Sequence, residues 1–152
     1  MKTIIKTLFV LALSTIVTTT FAQKKKAVQK SIFTEFPGNI EISKNTLRNT
    51  LIAKPGQSVN VPFNDKFNFS GKVVSNEMKY SDLQSMIIRS DKYPNTLFQL
   101  SRITDKTDGK VSYVGRIINN EALEVYEIKN YMADNYSLQR IDLDRILQDC
   151  SY

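Results

Sequence analysis

The stretch Thr96–Ile118, TLFQLSRITDKTDGKVSYVGRII, decides the fold. Two runs rich in β-branched and aromatic residues, Thr96 to Thr104 and Lys110 to Ile118, flank a segment holding Asp105, Asp108 and Gly109. Aspartate and glycine suit a tight reversal: the first bonds its carboxylate to nearby amides, and the second accepts a positive φ. In the second run Val111, Tyr113, Gly115 and Ile117 alternate with Ser112, Val114, Arg116 and Ile118. Successive side chains of a strand point to opposite faces, so this period of two predicts a β-hairpin with one buried face. Tyr113 and Arg116 then fall on opposite faces, and Gly115 marks a bulge or a close approach of neighbours.

The flanking sequence reads the same way. Towards the C-terminus, LEVYEIK and YSLQRI bracket the polar turn Met132–Asn135 and predict a second hairpin. Its apolar phase slips between Val125 and Tyr126, which predicts a bulge there or, in second place, a helix. IDLDRILQDC follows, with Leu143, Ile146 and Leu147 at helical spacing and Asp142 as a cap. Towards the N-terminus, SMIIRS, FNFSGKVV and SVNVPF are strand-like, with Phe67, Phe69, Gly71 and Val73 on one face. Ser43 caps a brief helix reaching Ala53, and Lys54-Pro55-Gly56 ends it. Ile40 and Ile42 alternate after a Pro37-Gly38 turn. About six short strands in local succession predict a mainly β fold, a single antiparallel β domain (sandwich or partly closed barrel) with short helices over an edge or open end. The expected core holds Phe67 or Phe69, Val73, Leu100, Val111 or Tyr113, and Ile117. An outer-membrane barrel would need eight or more strands of ~10 residues with apolar-out alternation, more than the pattern supplies.

The chain opens MKTIIKTLFVLALSTIVTTTFAQ. Lys2 and Lys6 precede an apolar run from Leu8 to Val17, and Thr20 and Ala22 are the small residues before a cut ahead of Gln23. This is the layout of a cleavable signal peptide, residues 1–22, and its core is shorter than the ~20 apolar residues that span a bilayer. Cleavage of the 152-residue chain leaves 130 residues carrying 19 basic and 15 acidic side chains, a charge of +4. Residues 23–30, QKKKAVQK, read as a basic, solvated arm ahead of one globular domain, 31–152. No second apolar run reaches spanning length, so no transmembrane segment is expected in the mature chain. Export makes the protein secreted or periplasmic, and its mild charge does not point to nucleic acid.

Composition closes many chemistries. The chain has no histidine and one cysteine. Ser-His-Asp and Cys-His catalysis and the common zinc hydrolase sites are therefore absent, and no catalytic, cofactor-binding or metal residue is assigned. DKTDG (105–109) lacks the acidic alternation and terminal glutamate of a calcium loop. Glu121, Glu124 and Glu127 cluster, as do Asp142 and Asp144, but a glycosidase pair needs a separation that sequence cannot show. Phe63, Phe67, Phe69, Tyr80 and Phe98 read as core before they read as a ligand platform.

What remains is an expectation of a non-catalytic binding or interaction module of the cell envelope or extracellular space, its protein or ligand partner unspecified. Two other readings compete. One is a propeptide-like inhibitor or chaperone of a secreted enzyme, its thiolate capping the partner's metal; the other is a small hydrolase or lyase using carboxylates. Cys150 in RILQDCSY admits three roles. It is a buried residue of the last helix, the partner in a disulfide between two chains, or a working thiol. Burial leads, because an exported unpaired thiol is open to oxidation and Ile146 lies on the same helical face.

Overall fold

In the computed structural model, which describes residues 32–119, 121–122, 124–132 and 134–142, one antiparallel sheet carries the chain. Its strands are β1 (Asn39–Ser43), β2 (Ser58–Pro62), β3 (Asn68–Tyr80), β4 (Leu83–Ser90), β5 (Thr96–Thr104), β6 (Val111–Asn119), β7 (Glu124–Met132) and β8 (Asn135–Asp142). A single helix, α1 (Lys44–Thr50), joins β1 to the segment before β2. The sheet order is β1-β8-β7-β6-β5-β4-β3-β2. Strands β2 to β8 form a meander of hairpins, while β1 crosses to pair with β8, Ile40 facing Leu138. The two border strands are thus consecutive in the chain, and α1 packs against both. Only a strongly curled sheet allows that. The architecture is a half-barrel, the partly closed form of the two expected, with one short helix among the described residues.

The predicted hairpin is the most regular pairing: β5 and β6 match residue for residue from Thr96↔Asn119 to Thr104↔Val111. Its turn is exposed and built as the sequence implied. The Asp105 carboxylate accepts the Thr107 amide at 2.7 Å, Asp108 accepts that of Lys110 at 2.8 Å, and Gly109 takes φ +69°. The Thr107 amide, seconded by the Thr107 hydroxyl, holds the Asp105 carboxyl below the ordinary aspartate range. A folded-state value below the unfolded one contributes stability at neutral pH, which is lost as pH falls through the folded value. Asp105→Asn should therefore speed exchange of the Thr107 amide at neutral pH. The difference from wild type should vanish in strong acid, as hydrogen-exchange NMR against pH would show.

The concave face holds the core. Phe69, Val73, Met86, Ile88, Phe98, Leu100, Tyr113, Ile117, Tyr126, Ile128, Tyr136 and Leu138 are buried, and Phe67 joins them from the β2–β3 loop. Every core position expected from the period is buried, with Tyr113 taking the place offered to Val111. Helix α1 adds Leu47, and Ser43 caps it by accepting the Thr46 amide at 3.0 Å, a bond of the kind worth ~1 kcal/mol. Residues 32–38 plug one end of the half-barrel. Phe33 is fully buried against Phe67, Tyr93 and Tyr126, with ring centroids 5.5–6.2 Å apart. The plug is tied down at long range. Glu124 accepts the amides of Ile32 and Phe33, Arg140 donates to the Phe33 carbonyl, and the Tyr126 hydroxyl donates to that of Pro37 at 3.0 Å. Burial, opposed by Arg140 and aided by Glu124, pushes the Tyr126 phenol above its ordinary range.

Two expectations need correction. No register shift occurs at Val125/Tyr126; the irregularity of β7–β8 lies between Asn130 and Met132. Val125 is apolar because the convex face carries its own apolar row, Leu97↔Ile118↔Val125↔Ile141, each residue half-buried. Both faces of β7 are thus partly covered, which imitates a phase slip. The strands also number eight among the described residues, rather than about six. Asp142 ends β8; the leader, the basic arm, Cys150 and the segment expected as the last helix lie outside the described residues.

Candidate functional site

Of the acids singled out from sequence, Glu121, Glu124 and Glu127 are dispersed into structural tasks, while Asp144 and the Asp142 side chain lie outside the described residues. Glu124 holds the plug, Glu121 accepts from the Asn95 side chain at 2.6 Å, and Glu127 pairs with Lys129 on the exposed surface. No group of three or more acidic, histidine or cysteine side chains converges among the described residues. Four of the five aromatics considered as a platform, Phe63, Phe67, Phe69 and Phe98, are core, whereas Tyr80 is 70% exposed at the β3–β4 hairpin. Tyr113 is buried and Arg116 exposed, on opposite faces as alternation required. Gly115 is a site of close approach and not a bulge.

A recess of about 650 Å³ opens beside the β1 border, where β1, β8 and the β7–β8 turn meet. Antiparallel register builds it: Glu41 lies opposite Ser137, and Ser43 opposite Asn135. The turn brings Tyr131, 57% exposed, and Asp134 to its rim. Lys44, the first residue of α1, reaches across to Asp134, and that hydrogen bond raises the lysine above its ordinary range. Both partners are solvent-exposed, so the bridge orients the rim and adds little stability. In the wall, Ser137 is buried yet its Oγ has no hydrogen-bond partner. Such a group costs free energy unless something satisfies it. Amides from Asn39 and Asn135, hydroxyls, both charges and one exposed aromatic ring therefore line one recess. A second, shallower groove of about 300 Å³ runs between α1 and β2, lined by Asn45, Asn49 and Asn60 among others. Sequence reasoning missed the recess, because its residues come from four elements, β1, α1, β7 and β8, and the turn between the last two, and none breaks a pattern.

The opposite side of the sheet holds a different arrangement. β6 pairs with β7 only from Arg116 to Asn119, so the two strands part before Tyr113. The amide of Tyr113 is satisfied instead by the Tyr136 hydroxyl from β8 at 3.3 Å, with the two rings edge to face at 5.8 Å. Across β5–β6, Tyr113 faces Arg102.

Comparison of the chain with family models, with curated protein sequences and with solved structures finds no match. No helix among the described residues is long and apolar enough to cross a membrane.

Proposed function

We propose that the chain is an exported, non-catalytic binding module of the cell envelope or extracellular space. A small polar ligand, or a polar segment of a partner, is held in the recess at the β1 border. The observation that carries this reading is the recess itself, whose lining is rich in amides, hydroxyls and charge and includes the exposed ring of Tyr131. Recognition sites place a few fixed polar groups around a concave surface, and an exposed ring such as Tyr131 supplies contact area at small entropic cost. The layout of residues 1–22 supports export. The carboxylate hydrolase reading needs two acids converging in a cleft, one of them desolvated. Glu41 and Asp134 do share the recess, but both are exposed and Asp134 is engaged by Lys44.

The test is a titration of isotope-labelled protein with small glycans, amides and short peptides, followed by amide NMR. Resonances of Asn39–Lys44 and Asn135–Ser137 should move together. Tyr131→Ala should weaken binding by about tenfold or more without lowering the melting temperature, since this exposed ring contributes contact and no core packing. Growth of hydrolysis products in the same samples, abolished by Glu41→Gln, would replace binding with catalysis.

A further inference from the structure

We infer that residues 143–150 dock as a short helix on the convex face of the sheet, along the apolar row that begins at Ile141. This contact is independent of the β1-border recess, which meets β8 at its other end, at Asn135–Ser137. Register lines the row up: Ile141, Val125, Ile118 and Leu97 are successive cross-strand partners on β8, β7, β6 and β5. Neighbouring strands lie about 4.8 Å apart, so the four side chains make one strip about 14 Å long. Each of them is half-buried. Helix α1 sends Leu47 into the concave core and packs on the border strands, so it does not cover the strip. A sheet with one face on its core ordinarily turns polar residues outward, and four apolar residues in register on the outer face depart from that pattern.

The chain itself supplies the cover. β8 ends at Asp142, one residue past Ile141, so the segment that follows starts at the head of the strip. That segment is LDRILQDC, residues 143–150, which lie outside the described residues. Leu143, Ile146, Leu147 and Cys150 recur at i, i+3, i+4 and i+7, one stripe of a helix, while Asp144, Arg145, Gln148 and Asp149 fall off it. Eight helical residues span about 12 Å, close to the length of the strip. A helix this short is marginal in water and takes its stability from packing an apolar face. Charge agrees with the direction. Past Leu97 the row continues through Arg89 on β4 and Lys72 on β3, both exposed and absent from the ion pairs among the described residues. Asp149 and the last carbonyls of the helix arrive on that side, where a cation favours both. Docking also turns the Cys150 thiol toward the sheet and away from oxidants.

The experiment is methyl NMR of the full chain, together with the rate at which Cys150 reacts with dithiobisnitrobenzoate. Nuclear Overhauser cross-peaks should join the methyl groups of Leu143, Ile146 and Leu147 to those of Leu97, Ile118 and Val125, and should survive dilution. Cys150, the single thiol, should react about tenfold or more slowly than in urea, since the segment must undock before it is attacked. Ile118→Asp, which sets a charge in the strip, should bring that rate close to the urea value while the β5–β6 amide spectrum stays folded. Missing cross-peaks, or a thiol that reacts as fast in the native chain as in urea, would overturn the assignment. Cross-peaks seen only between labelled and unlabelled molecules would also overturn it and give the strip to a second copy of the chain. The wild-type spectra decide even if Ile118→Asp fails to fold.

Discussion

Replacing Gly115 with valine should abolish cooperative folding or lower stability by about 3 kcal/mol or more, the upper end of what overpacking costs. Gly115 lies opposite Leu100 in the centre of the β5–β6 ladder. A Cβ built there would sit 2.4 Å from the Gln99 carbonyl oxygen, 3.1 Å from Ile128 Cδ1 and 3.3 Å from the Leu100 Cα. Two of those three atoms belong to backbone held in the sheet, so they cannot rotate away. The strands would have to separate at the most regular pairing of the fold. Gly38 is the control, because a Cβ there meets nothing within 4 Å. Urea unfolding of Gly115→Val, Gly115→Ala and Gly38→Ala should rank them in that order, valine worst. A Gly115→Val protein that melts like wild type would show that β5 and β6 do not approach in this way.

Phe67→Ala should be nearly as damaging, at about 3–5 kcal/mol, the usual cost of emptying a buried phenylalanine site. Phe67 is fully buried, and its ring meets Phe36 at 4.4 Å, Phe63 at 5.4 Å, Tyr126 at 5.9 Å and Phe33 at 6.2 Å. It is the common neighbour of the N-terminal plug, the β2–β3 loop and β7. Its loss leaves a cavity lined by rings whose backbones are fixed elsewhere, so collapse offers little relief. Against a total stability of ~5–15 kcal/mol for a domain of this kind, that is a large share. Scanning calorimetry should record a melting temperature lower by roughly 10 °C or more. Phe67→Leu, which keeps much of the volume, should lose far less.

The legible parts of this fold are those where local chemistry and long-range packing agree. The β5–β6 hairpin could be read because its concave side is buried, its convex side is largely wet, and Asp105, Asp108 and Gly109 specify the turn. Ser43 and the Lys54-Pro55-Gly56 stop bounded α1 to within a turn for the same reason. The plug could not be read. Nothing periodic marks Phe33 as core; its burial depends on Glu124 and Arg140, contributed by strands roughly a hundred residues later. The convex apolar row misled in the opposite direction, because Val125 satisfies a second face and so resembles a shifted first one. The recess left no mark in the sequence, since amides and hydroxyls at strand ends are what any loop-rich surface contains.

The position of β1 has a consequence for how copies of this chain behave together. Each other strand pairs with a strand adjacent to it in sequence, so those ladders form from short loops, but Ile40 must find Leu138 across nearly the whole described part of the chain. Closing so long a loop is slow, and the meander has time to assemble before it happens. Until then β8 presents an open border that the β1 segment of any neighbouring molecule fits as well as its own. At high concentration during refolding, reciprocal exchange of residues 32–50 would create dimers whose every contact is native. Such dimers would be kinetically trapped, since reversing the exchange requires each β1 to be stripped from its borrowed partner.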